Sequence, residues 1–94
     1  MNKWIVAYDI PDDRRRRKVA DALENFGDRV QYSVFEVLTR DTEIDIVTAR
    51  IRRIIDSKED SVRLYPLCET CAAKVIVVGI GRDEPWENPD VYIV

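Results

Sequence analysis

The chain contains no histidine. Without an imidazole, acid–base catalysis of the two-histidine ribonuclease type is excluded, and the Cys-His and Ser-His nucleophile arrangements are excluded with it. Glycine is almost as scarce, at positions 27, 79 and 81 only, and none of the three builds a glycine-rich loop ahead of a helix. A nucleotide-cofactor enzyme of the phosphate-loop kind is therefore disfavoured. Cys68 and Cys71 stand only three positions apart, so a bridge between them would close a tiny loop and stabilise little, and the chain is no secreted disulfide scaffold. Its opening apolar stretch is too brief to span a bilayer and lacks the charged region and small-residue cleavage site of a signal peptide, so a cytoplasmic location is expected. Positive charge is also short: a net charge of −3 and a pI near 4.9 argue against a protein that coats nucleic acid by bulk charge.

What is present suffices for one modest core. Of 94 residues, 46% are apolar and 35% charged, which favours a soluble single domain over residues 1–94 and argues against disorder. Residues 4–9, WIVAYD, carry apolar side chains at both parities and read as a central strand whose only charge comes at its end. Pro11, Asp12 and Asp13 read as a helix start, with proline suited to the first turn and the acids opposing the positive end of the dipole. Val19, Leu23 and Phe26 recur at helical spacing, and Gly27 is expected to stop that helix. Residues 30–39, VQYSVFEVLT, read as a second strand, being β-branched, aromatic and bounded by polar turns. Ile44, Val47, Ile51 and Ile54 follow the helical period, with acids early and arginines late. Residues 61–67 and 74–79 read as the third and fourth strands, joined through residues 68–72.

The expected class is α+β, in the ferredoxin-like order βαββαβ, with two helices on one face of a four-stranded antiparallel sheet. Beyond Gly81, the tail over residues 82–94 ends in the apolar run Val91, Tyr92, Ile93, Val94, which needs a host. Pairing it with the sheet edge of a second copy would satisfy its backbone and hide its apolar surface, which predicts a homodimer built by strand exchange. Docking on its own sheet is the other reading.

With histidine absent, carboxylate chemistry remains. A carboxylate holding a divalent cation can polarise a phosphate and lower the pKa of a bound water, as phosphodiester hydrolysis requires. Asp9 is the best candidate, at the end of an apolar strand and close to a helix start; capping the next turn is its bland alternative. One carboxylate per chain is too few for a metal cage, but two copies of Asp9 brought together by two-fold symmetry would make a shared site. Arg14, Arg15, Arg16, Arg17 and Lys18 form an unbroken basic run, and Arg50, Arg52 and Arg53 a second group. Five consecutive helical residues spread around the whole circumference, so two or three can face one ligand while others pair with Asp12, Asp13 or Asp21. Cys68 and Cys71 have the spacing of half a zinc ribbon, but the second pair is missing; a redox motif should lead into a helix, whereas a strand is expected here. The default is two thiols in a strand connection.

The segments YDIPDDRRRRKVADAL (residues 8–23) and GDRVQYSVFE (residues 27–36) resemble the signature stretches of the CRISPR-associated Cas-two family, the small partner of the CRISPR integrase. The resemblance extends over nearly the whole chain in length and order of elements. It implies a ferredoxin-like homodimer with an exchanged terminal strand, in which Asp9 of each subunit faces the other across a cleft and binds magnesium. It also implies metal-dependent cleavage of single-stranded RNA or duplex DNA, and a bridging place in the spacer-acquisition complex with the integrase. By matching positions, Tyr8, Asp9, Arg16, Arg29 and Phe35 are the residues tied to activity. Lys18 stands where some members carry arginine, which keeps the charge but loses bidentate phosphate binding.

Two functional classes follow, with a third beside them. One is a magnesium-dependent nuclease with catalytic, metal-binding Asp9 and with Tyr8, Arg16, Lys18, Arg29 and Phe35 on the nucleic acid, where the two aromatic rings stack on bases or merely pack. The other is a non-catalytic dimeric adaptor that bridges integrase subunits and DNA, for which Asp9 is dispensable. A regulatory module binding a small ligand between dimerised sheets is the third.

Overall fold

A computed structural model describes residues 1–79. Strand β1 (Asn2–Asp9) leads into helix α1 (Asp13–Glu24), then strands β2 (Gly27–Gln31) and β3 (Val34–Thr39), helix α2 (Glu43–Ile54), strand β4 (Ser61–Leu67) and the short helix α3 (Glu69–Ala73). Through Leu67 this is the expected βαββαβ order, although the strands expected at residues 4–9, 30–39, 61–67 and 74–79 would by themselves have run βαβαββ. The sheet runs β2-β3-β1-β4 with every pairing antiparallel, so β1 is central, as its apolar character demands.

The elements fill that order differently from the sequence reading. The run expected as one strand over residues 30–39 is a hairpin, turning at Tyr32 and Ser33, with an irregular register between Arg29 and Gln31. Residues 74–79, expected as the fourth strand, form no strand, and Val75, Ile76, Val77 and Val78 are 46%, 84%, 52% and 83% exposed. The fourth strand is β4 itself. Helix α3 occupies what was expected to be a plain strand connection. The expected tail, residues 82–94, and the strand exchange assigned to it lie outside the described residues.

Gly27 also has a different task. Helix α1 ends at Glu24 with Asn25 as its C-cap, and Gly27 begins β2 opposite Val37. A Cβ there would lie 1.9 Å from the Glu36 carbonyl oxygen and 2.7 Å from Val37 Cα, so glycine is required by the approach of two backbones rather than by a helix stop.

Both main helices cover one sheet face. Val6 and Tyr8 of β1 and Phe35, Val37 and Thr39 of β3 point toward them and are buried with Val19, Ala20 and Leu23 of α1 and Val47 and Ile51 of α2. Strand alternation sends Lys3, Ile5, Ala7 and Asp9 to the other face, where Lys3 pairs with Glu36 at 3.2 Å. There Leu38 and Tyr65 remain 47% and 46% exposed. No helix among the described residues is long and apolar enough to cross a membrane.

Candidate functional site

Helix α1 begins with Asp12 as N-cap, whose Oδ2 accepts a 2.8 Å hydrogen bond from the Arg15 amide. This cap fixes the rotation of the helix and therefore the direction of each basic side chain after it. Asp13, Arg16 and Arg17 fall at positions i, i+3 and i+4 and share one face. Arg16 also continues the buried row of Val19, Ala20 and Leu23, so its guanidinium folds back over the entry loop. Its Nη1 donates to the Ile10 carbonyl at 2.8 Å and the Pro11 carbonyl at 3.4 Å, while Nη2 donates to Asp13. Arg15 turns away. It grips the connection before β4, with Nε donating to Asp60 Oδ2 at 2.7 Å, and Nη2 donating to Asp60 Oδ1 at 3.1 Å and Glu59 at 2.9 Å. The run thus divides by helix geometry as expected, except that Arg15 pairs with Asp60 and Glu59 rather than with an acid of its own helix.

A cavity of about 390 Å³ opens beside α1, lined by Tyr8, Asp13, Arg16, Arg17, Arg29, Tyr32 and Ser33. It joins the start of α1 to the hairpin turn between β2 and β3. Tyr8 forms its floor: 5% exposed, it donates its phenol hydrogen to the Tyr32 carbonyl at 3.3 Å, and its amide donates to the Ser33 carbonyl at 3.0 Å. Burial raises the Tyr8 pKa above its ordinary value, against the opposing pull of the Arg29 and Arg16 charges. At neutral pH the phenol is therefore a neutral donor and not a base. On the rim, the Arg29 guanidinium carbon sits 5.4 Å from the Phe35 ring centroid, a cation–π distance.

The residues singled out in the sequence occupy three places. Tyr8, Arg16 and Arg29 meet in the cavity. Phe35 is fully buried beneath Arg29, 6.3 Å from the Tyr8 ring, so of its two readings this geometry supports packing. Lys18 is exposed on α1 and does not line the cavity. Asp9 is exposed at the end of β1, opposite Ser61, on the face away from Tyr8. Its carboxylate makes no hydrogen bond or ion pair among the described residues. The same residues contain no group of three or more metal-capable side chains. Asp9 is thus an uncommitted hard-oxygen donor of the chemistry that magnesium takes, and the described residues of one chain build no cage around it.

Arg17 of the basic run and Asp13, expected as one of its pairing partners, complete the cavity together with Tyr32 and Ser33, which the sequence reading passed over. Of the second basic group, Arg50 stands 5.9 Å from the Phe26 ring centroid, and none of the three arginines reaches the cavity. Cys68 caps α3, its Sγ accepting from the Cys71 amide at 3.3 Å. The strand expected after the cysteine motif is absent, and the five-residue α3 begins within the motif and contains Cys71.

A four-stranded antiparallel sheet with two helices on one face, an arginine-lined cavity at one end and an exposed aspartate at the tip of its first strand defines a small α+β protein of the ferredoxin-like class. The particular family is clear from comparison. The model of the family described as CRISPR associated protein Cas2 matches residues 1–75, and the chain belongs to that family. It is 49% identical to the CRISPR-associated endoribonuclease Cas2 3 of Synechocystis sp., over 97% of this chain and 96% of that one. The crystal structure of Streptococcus pyogenes Cas2 at pH 6.5 superposes with a TM-score of 0.74 at 34% identity, covering 82% of this chain and 99% of the other. A chain in a partial Cas6-RT-Cas1–Cas2 complex gives a TM-score of 0.71 at 28% identity, covering 83% of this chain and 91% of that one.

Proposed function

We propose that this protein is a magnesium-dependent endonuclease of CRISPR adaptation that cleaves phosphodiester bonds in single-stranded RNA or duplex DNA. In this reading it acts as a homodimer in a complex with the CRISPR integrase. The observation that carries the reading is the convergence of Arg16, Arg17 and Arg29 on a single cavity at the end of β1, where Asp9 stands exposed and uncommitted. The names of the relatives, endoribonuclease among them, and the Cas1–Cas2 complex among the structural neighbours support the same assignment.

Each residue then has a defined part. Arg17 and Arg29 hold phosphate oxygens by charge-assisted hydrogen bonds. Arg16, already held by two carbonyls and Asp13, presents a guanidinium that needs no ordering when the strand arrives. Tyr8 stays protonated and keeps the hairpin turn in place. The Asp9 carboxylates of two subunits would together hold magnesium, which when bound supplies charge neutralisation at the phosphate and a water of lowered pKa.

The test is cleavage of RNA and duplex DNA with magnesium by the native protein and by Asp9→Asn purified identically. Cleavage by the native protein alone is expected, and equal cleavage by both would assign the activity to a contaminant. A non-catalytic adaptor, bridging integrase subunits and DNA, is favoured by one specific observation: among the described residues no group of three or more metal-capable side chains gathers around Asp9. Undiminished spacer acquisition in cells carrying Asp9→Asn would establish that second role and remove the first from adaptation.

A further inference from the structure

We propose that Tyr32 is a stacking platform for an unpaired base of single-stranded nucleic acid held at the arginine cavity. This rests on the nucleic-acid reading above and adds to it a residue that reads bases rather than phosphates. Tyr32 is the most exposed large hydrophobic side chain among the described residues, at 91%. A single exposed aromatic is ordinary on a protein surface and would carry nothing alone. Three features of its setting set this one apart.

The first is position. Tyr32 lines the same cavity as Arg16, Arg17 and Arg29, which places an aromatic ring beside three guanidinium groups in the combination that binds single strands: cations for the backbone, a π-face for a base.

The second is rigidity. Although it sits at a hairpin turn, its backbone is held from below, because the Tyr8 phenol donates to the Tyr32 carbonyl and the Tyr8 amide to the carbonyl of Ser33. A ring mounted on a fixed turn loses less freedom on contact than one on a loose loop.

The third is that the fold does not need it. Tight hairpin turns favour glycine, asparagine and aspartate for their backbone freedom. Among the described residues no residue other than glycine takes a positive φ, and the turn is accompanied by an irregular register between Arg29 and Gln31. A tyrosine that buries so little of itself gives the core nothing, so its apolar face is left for a ligand.

The experiment measures fluorescence-anisotropy affinity for a short labelled oligouridylate at low salt without magnesium, so that binding is read apart from cleavage. It compares the native protein, Tyr32→Ala, Tyr32→Phe and Arg17→Ala. The loss of one stacked base predicts about tenfold weaker binding for Tyr32→Ala, with Tyr32→Phe close to native because the ring is kept. Binding by Tyr32→Ala should keep the native salt dependence, since no phosphate contact is lost, whereas Arg17→Ala should flatten it. Unchanged affinity in Tyr32→Ala, alongside a clear loss in Arg17→Ala, overturns the stacking role and leaves the phosphate-binding cavity standing. An equal loss on blunt duplex, where no base is free, also overturns it. If the native protein does not bind the oligouridylate at all, the nucleic-acid reading of the cavity fails and the stacking role fails with it.

Discussion

Replacing Gly27 with alanine adds one methyl group at the point where the edge strand β2 meets β3. The added carbon would stand 1.9 Å from the Glu36 carbonyl oxygen, whereas real contacts of this kind do not fall below 3.0 Å. The obstacle is backbone on the neighbouring strand, so no side-chain rotation relieves it, and the strands must part by about 1 Å. A ladder bond near 2.9 Å does not survive that extension. Loss of about two such bonds at roughly 1 kcal/mol each, with residual overpacking of roughly 1–2 kcal/mol, gives a destabilisation of about 3 kcal/mol. Against a total of roughly 5–15 kcal/mol, the change is large. With a urea m-value of roughly 1–1.5 kcal/mol/M for a chain of this size, the unfolding midpoint of Gly27→Ala should fall by about 2–3 M.

The protein has one softer response. The start of β2 could release locally and so limit the global cost; hydrogen exchange distinguishes the two, because local release accelerates the Arg29 and Gln31 amides before the rest of the sheet. Either way Arg29 loses its place over Phe35, and the cavity loses one of its cations. A stability within about 0.5 kcal/mol of native, with unchanged exchange along β2, would refute the close-approach argument.

Three further outcomes follow from the same geometry. Arg15 and an amide hydrogen bond lower the Asp60 pKa, so as acid is added the unfolded chain takes up this proton before the folded one. The stabilisation from this pair is fully present above about pH 4 and is lost as pH falls through the lowered folded value; Arg15→Gln should be less stable than native at neutral pH and converge with it in strong acid, as read by urea midpoints across pH. The Cys71 amide lowers the Cys68 pKa by hydrogen bonding to its sulfur, while the hydrogen bond between the two free thiols raises that of Cys71, so iodoacetamide near neutral pH should label Cys68 first in peptide mass spectra, and equal rates would contradict the cap. The fully buried Thr39 hydroxyl has no hydrogen-bond partner among the described residues, so Thr39→Val should raise stability by about 1 kcal/mol, and a loss would mean that the hydroxyl is satisfied.

The sequence carried the central strand, both long helices and β4 because each has a clean period and recognisable ends. It concealed the hairpin. Residues 30–39 contain no glycine, proline, asparagine or aspartate, the usual marks of a turn, and read as one continuous strand. One signal was available: the apolar positions run Val30, Tyr32, Val34 and then Phe35, Val37, changing parity midway, and a strand with one buried face cannot change parity without a turn or bulge. Reading that break would have called for a turn or bulge within residues 30–35 and so supplied the missing strand. Residues 74–79 misled in the opposite way, since β-branched composition reports only that a segment suits a pleated surface and says nothing about whether a partner strand is near.

The site was legible to the same extent and for the same reason. Helix periodicity alone places Asp13, Arg16 and Arg17 on one face and sends Arg15 to another, so the sequence limited how many members of the basic run could act together. What it could not give was the second wall of the cavity, because Tyr32, Ser33 and Arg29 arrive there only through the unread turn. Strand parity separates the remaining pair. Tyr8 and Asp9 are neighbours in the chain, yet one is buried under the helices beside the arginines and the other is exposed on the opposite face. In the proposed nuclease a strand gripped by the arginines must cross the end of β1 to meet Asp9, and the second carboxylate must come from another subunit. Grip and chemistry thus sit on different faces of one strand, which is why the cavity alone does not distinguish a nuclease from an adaptor and why Asp9 does.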